Sequence, residues 1–187
     1  SGILLLNDNQ YEDSYRYLKK LNGLEASHKT FSVKYLYSLV NSGNYKEAIN
    51  YSKKLESNNL DILESHLILG LFHLKNSNLD LAKKYFLKAK NINSTFILNN
   101  YISNSLYNWS LASNLDQTKS VLNNLDERFI NLKKIQNIFF NCFLDTSNTE
   151  KLFKEIISDQ NTDFSRYNYF YASHLVSTGR ISSAKEI

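Results

Sequence analysis

The chain of 187 residues has no proline and no methionine, only five glycines, one cysteine (Cys142) and one tryptophan (Trp109). So little proline and glycine points away from a turn-rich β fold. A single cysteine excludes an internal disulfide and leaves the redox compartment open. The longest early apolar run, ILLL at 3–6, is far too short to span a membrane. Charge of one sign is not in large excess: 22 basic residues face 18 acidic ones, a net charge of +4, and the signs are interspersed. A dedicated nucleic-acid binder concentrates its cations more strongly. There is no phosphate-binding glycine-rich loop, nucleophile elbow or HExxH zinc motif. The carboxylates are scattered among lysines as on solvated helix faces. No catalysis, cofactor or metal is expected of such a sequence.

What is present is aromatic and helical. Thirteen tyrosines and eleven phenylalanines supply apolar area for a core, and the abundance of Asn, Lys, Ile and Tyr suits an AT-rich, bacterial coding source. Leu36, Leu39 and Val40, then Ala48, Tyr51 and Leu55, follow the intervals of one helical face. Between them SGNY at 42–45 is a short turn in which Gly43 can take the left-handed conformation that ends a helix. One helix–turn–helix unit therefore spans roughly Lys29 to Asn58.

The unit recurs. Gly43 corresponds to Asn9, Ser77, Ser113, Ser147 and Gly179, with successive spacings of 34, 34, 36, 34 and 32. Ala48 corresponds to Ser14, Ala82, Thr118, Leu152 and Ala184, and Tyr17, Tyr51 and Tyr85 stand 34 apart. Six phased copies predict stacked antiparallel helix pairs forming one domain over 1–187, with repeats at roughly 1–28, 29–62, 63–98, 99–132, 133–164 and 165–187.

This pattern resembles the tetratricopeptide repeat (TPR) family over essentially the whole chain. The best copy is 63–96, LESHLILGLFHLKNSNLDLAKKYFLKAKNINSTF, where Gly70, Ala82, Phe86 and Ala89 match the family's small and packing residues. The resemblance implies an all-α, right-handed solenoid of about six repeats, the first and last truncated. The family's proline is absent from every copy, and Thr118 and Leu152 replace a small residue. A pentatricopeptide (PPR) array has nearly the same period and would imply RNA, but the small-residue pattern fits TPR better. Because the pattern opens and closes inside helices and without an initial methionine, the chain reads as a piece of a longer protein. Its compartment, cytoplasmic or periplasmic, would be set elsewhere.

In TPR proteins one face of each first helix lines a concave groove. The resemblance puts Val33, Tyr37 and Val40 there, then Glu64, Leu67, Leu71 and Leu74, then Ser103, Tyr107 and Ser110, then Lys134, Asn137, Asn141 and Leu144, and last Arg166, Tyr169, Ser173 and Val176. Such a surface suits an extended peptide or an amphipathic helix. Val33, Tyr37 and Leu67 replace the Lys, Asn and Arg of the family's carboxylate clamp, so no clamp is expected. His66 and His73 lie seven residues apart and read as packing residues rather than a metal pair. Cys142 and His174 fall at equivalent places one repeat apart, where the sulfur reads as a structural thiol, and Trp109 reads as a packing aromatic. NST at 93–95 and NWS at 108–110 match glycosylation sequons, which matter only in a eukaryotic secretory context. The expected role is a non-catalytic scaffold for a protein or peptide. The alternatives are an RNA-binding helical repeat and a recruiting module of a larger enzyme. Open ends of a stack would also allow end-to-end self-association.

Overall fold

The computed structural model describes residues 2–21, 23–24, 28–92, 95–112, 119–120, 122–123 and 125–187. Regular structure among these residues is helical, without strands. Among the described residues no helix is long and apolar enough to cross a membrane. The chain divides into two compact units, 1–110 and 111–187.

The first unit holds α1 (Gly2–Asn7), α2 (Tyr11–Lys19), α3 (Lys29–Asn41), α4 (Tyr45–Ser57), α5 (Leu63–Lys75), α6 (Leu79–Asn91) and α7 (Ile97–Trp109). Each helix packs on the next in sequence, and α3 also touches α1 and α5. Three-residue connections such as 42–44 and 76–78 force α3–α4 and α5–α6 into hairpins. Leu18, Tyr35, Leu36, Leu39, Ala48, Tyr51, Leu55 and Ile62 form a buried core around α3 and α4. Ala82, Phe86 and Ala89 are buried on α6.

In the second unit a 3-10 turn at Glu127–Phe129 leads into α8 (Ile130–Phe143), followed by α9 (Thr149–Ile157), α10 (Tyr167–Ser177) and α11 (Ile181–Ala184). Its core is Ile138, Phe153, Ile156, Phe164, Tyr171 and Leu175, with Ala184 packed against it. Phe153 is fully buried, and its ring stacks on Tyr171 at 5.4 Å.

The helix ends carry the period. Asp8, Ser42, Asn76, Ser110, Leu144 and Thr178 each donate a backbone N–H to the carbonyl four residues back, at 3.0–3.2 Å. These six residues are 34 apart without exception. The residue after five of them is left-handed: Asn9 (φ 59), Gly43 (75), Ser77 (57), Asp145 (48) and Gly179 (80). The next N–H then reaches back five residues, as from Asn44 to Leu39 and from Thr146 to Asn141. This pair of bonds satisfies the last carbonyls of the helix.

Here the structure corrects the phasing read from sequence. The left-handed residue of the fifth turn is Asp145, not Ser147. Two extra residues, Thr146 and Ser147, lie between it and Asn148, which precedes α9. The registers of α7 and α8 therefore both move by two residues, so that Ser105 rather than Tyr107 is the equivalent of Leu71, while the register of α9 does not move. Ser113 and Thr118 lie outside the described residues.

Paired helices approach closely where one of them is small. A Cβ added to Gly70 would lie 2.5 Å from Cδ1 of Phe86 and nearer still to Cε1, and one added to Gly2 would meet Leu18 Cγ at 3.1 Å. The repeat-equivalent pair in between, Leu36 and Ser52, reverses the sizes, and both are buried. Copies one and two also share a polar tie at their small residues. Ser14 Oγ donates to the Gly2 carbonyl at 2.7 Å, and the Ser32 and Tyr51 hydroxyls are 3.0 Å apart.

Candidate functional site

The groove residues named from sequence have different fates. Val33 and Leu67 are half-buried, with Val33 against the core of the first unit. Tyr37 and Leu71 are exposed at 50% and 46%, and Ile3, one repeat before Tyr37, is exposed at 49%. The three stand 34 apart on α1, α3 and α5 and form a recurring apolar position facing solvent. Tyr107 is half-buried, with Lys90 Nζ 4.9 Å from its ring centre. Ser103 is buried and donates to the Asn99 carbonyl.

In the second unit Tyr169 is exposed. Asn137 lines a cleft of about 340 Å³ between α8 and α9, beside the Lys134–Asp159 ion pair. Asn141 is not a groove residue. It is buried, its amide donates to the Asn137 carbonyl at 2.8 Å, and its side-chain oxygen accepts from Thr146 at 2.6 Å. The two-residue shift of α8 explains this, because Asn141 becomes the equivalent of fully buried Leu39. Cys142 Sγ lies 3.6 Å from His174 Nδ1.

The exposed apolar row meets residues that sequence reading had not singled out. Four of the described turns are followed by an apolar residue opening the second helix, Tyr11, Tyr45, Leu79 and Ile181, whereas Thr149 opens α9. The turns NQYEDS at 9–14 and GNYKEA at 43–48 carry that signal in the sequence. Tyr11 meets Tyr37 edge-on, with ring centres 6.0 Å apart. One repeat later, Tyr45 and Leu71 stand on the walls of an open apolar cleft of about 610 Å³, together with Val40. Its floor is Ala48, Ile49, Ile68 and Phe72, and Lys46 and Lys75 stand at its rim. No carboxylate lines it.

A second, polar pocket of about 530 Å³ is lined by Glu56, Asn59, Asp61, His66 and Lys88 among others. Its groups are largely spent on one another. Tyr85 Oη and Lys88 Nζ each donate to Glu56 at 2.7 Å, and His66 Nε2 lies 3.0 Å from Asp61. Burial pushes the Glu56 carboxyl up, but the bonds from Lys88 and Tyr85 outweigh it and hold the group below its ordinary range. His73 stacks on Tyr85 at 5.4 Å, and burial pushes its imidazole down. These two histidines are thus ring-packed on α5. Among the described residues no cluster of three or more His, Cys, Asp or Glu is placed to hold a metal.

No protein-family model, curated protein or solved structure matches the chain. Its function has to be argued from its own surface.

Proposed function

We propose that the chain is a TPR-like solenoid that serves as a non-catalytic scaffold, binding a peptide or helix of a partner protein. The observation that carries this reading is the recurrence of Ile3, Tyr37 and Leu71, nearly equal in exposure, on successive first helices. A repeat that returns a large apolar side chain to solvent at one position forgoes the stabilisation of burying it, roughly 1.5–3 kcal/mol each. Regular exposure of this kind is expected where another chain completes the burial. The 34-residue spacing of six helix ends supports the repeat assignment, as do the small residues at Gly2 and Gly70.

The test compares the wild-type chain with a Tyr37→Asp/Leu71→Asp variant as bait in extracts of its own host. Proteins retained by the first and lost by the second support the scaffold. Retention of RNA instead, weakening steeply from low to physiological salt, would assign the surface to nucleic acid.

A further inference from the structure

Two neighbouring sites in the first unit are built alike but finished differently. Tyr11 and Tyr45 open second helices one repeat apart, and Tyr37 and Leu71 are their respective partners on the following first helix. At the first site the Tyr37 ring lies edge-on against Tyr11, 6.0 Å between centres. At the second site Leu71 is too short to put a ring in that place, and the cleft of about 610 Å³ stays open beside Tyr45. Tyr37 therefore shows, within the same chain, what fits such a place: one aromatic side chain presented against a tyrosine edge.

Charge distinguishes the two sites as well. Lys46 at the open cleft replaces Glu12, and Lys75 replaces Asn41. Lys46 and Lys75 make no ion pair with any described residue, and Lys53 Nζ stands 5.3 Å from the centre of the Phe72 ring that forms part of the floor. Cations around an apolar cleft with no carboxylate of its own leave a positive field that an acidic partner complements.

From these two differences we infer that the cleft between α3, α4 and α5 takes a peptide segment carrying one aromatic side chain with carboxylates on both sides of it. The aromatic ring packs against Tyr45 and Leu71 over Phe72, and the carboxylates pair with Lys46 and Lys75. The inference rests on the scaffold reading above and names the partner's chemistry.

The probe is a random 12-residue peptide library displayed on phage, panned against the full chain and then titrated as synthetic peptides. Enriched peptides should carry Phe, Tyr or Trp with Asp or Glu within a few residues on each side. Leu71→Tyr should fill the cleft and weaken such peptides about tenfold or more, while its thermal melt does not fall below that of the wild type because Leu71 is exposed. Lys46→Glu/Lys75→Glu should weaken them by a similar factor and shift the enriched flanks toward Lys and Arg. Aromatic peptides without acidic flanks, bound equally by the charge-reversed variant, would overturn this occupant while leaving peptide capture standing. Peptides indifferent to Leu71→Tyr would overturn the occupant and place capture elsewhere on the chain. No enrichment at all would overturn the occupant, with the scaffold reading decided by the retention experiment above.

Discussion

Gly70 and Phe86 occupy the same space from opposite helices: a Cβ on the first would lie 2.5 Å from Cδ1 of the second, which is fully buried. The ring has nowhere to move, so Gly70→Ala should destabilise the first unit by about 1–3 kcal/mol despite alanine's better helix propensity. Leu18 stands where Phe86 does, one pair of repeats earlier, and leaves the Cβ site of Gly2 at 3.1 Å. Adding Phe86→Leu to Gly70→Ala should thus cost less than the two changes summed, by about 1 kcal/mol in a double-mutant cycle read by urea unfolding. Strict additivity would show that the crossing is not limited by this contact.

Ser77 holds φ 57 at a place where Gly43 has φ 75 and Gly179 has φ 80. A side chain pays for that conformation where glycine does not. Ser77→Gly should stabilise by about 0.5–1 kcal/mol, and Gly43→Ala should destabilise by about 1 kcal/mol, both measured by chemical denaturation. Loss of stability on Ser77→Gly would contradict the helix-end geometry.

Glu56 and Tyr85 set a pH window for the first unit. The Glu56 carboxyl, raised by burial but lowered further by Lys88 and Tyr85, contributes stability above the ordinary carboxylate range that is lost as pH falls through its depressed folded pKa. Tyr85, pushed up to about 12 by burial and by its bond to Glu56, contributes stability that is complete below pH 10.0 and lost as pH rises through the folded value. Glu56→Gln should lower the melting temperature at neutral pH and match the wild type in strong acid. Circular-dichroism melts across that range would read the convergence, and a constant offset would rule out a titrating contribution.

Burial, and next the Asp145 carboxylate, pushes the Cys142 thiol up, although His174 Nδ1 lies 3.6 Å from its sulfur. A raised thiol is a poor nucleophile at neutral pH. Iodoacetamide should modify Cys142 slowly in the folded chain, about tenfold below its rate in urea, and His174→Ala should not slow it further. Fast native alkylation, followed by mass, would instead indicate a thiolate–imidazolium pair.

Much of this fold is legible without coordinates, because periodic apolar residues, glycine at turns and the absence of proline are local properties of the chain. The all-helical character and a recurrence of roughly 34 residues follow from them, whereas the exact 34-residue spacing of all six helix ends does not. Two inserted turn residues are harder to see. Aligning the turns on Ser113 and Ser147 carries a two-residue offset into α7 and α8, and only the helix-end hydrogen bonds of Ser110, Asp145 and Thr146 reveal that these helices and α9 have different registers.

Equivalent letters also end in unequal surroundings. Tyr51 is buried against Tyr35 and Ser32, and Tyr85 against His73 and Glu56, whereas Tyr17 is exposed with Lys20 beside its ring.

By itself, then, the sequence determined that the chain is helical and that its helices recur at about 34 residues, since helix formation depends on residues within one turn of each other. Tertiary structure alone decided that Asn141 is buried, that Tyr37 closes one inter-repeat site, and that Leu71 leaves the next one open between two lysines. Each of these depends on which side chain a neighbouring helix brings into reach, and that distance is not written in the spacing of any single copy.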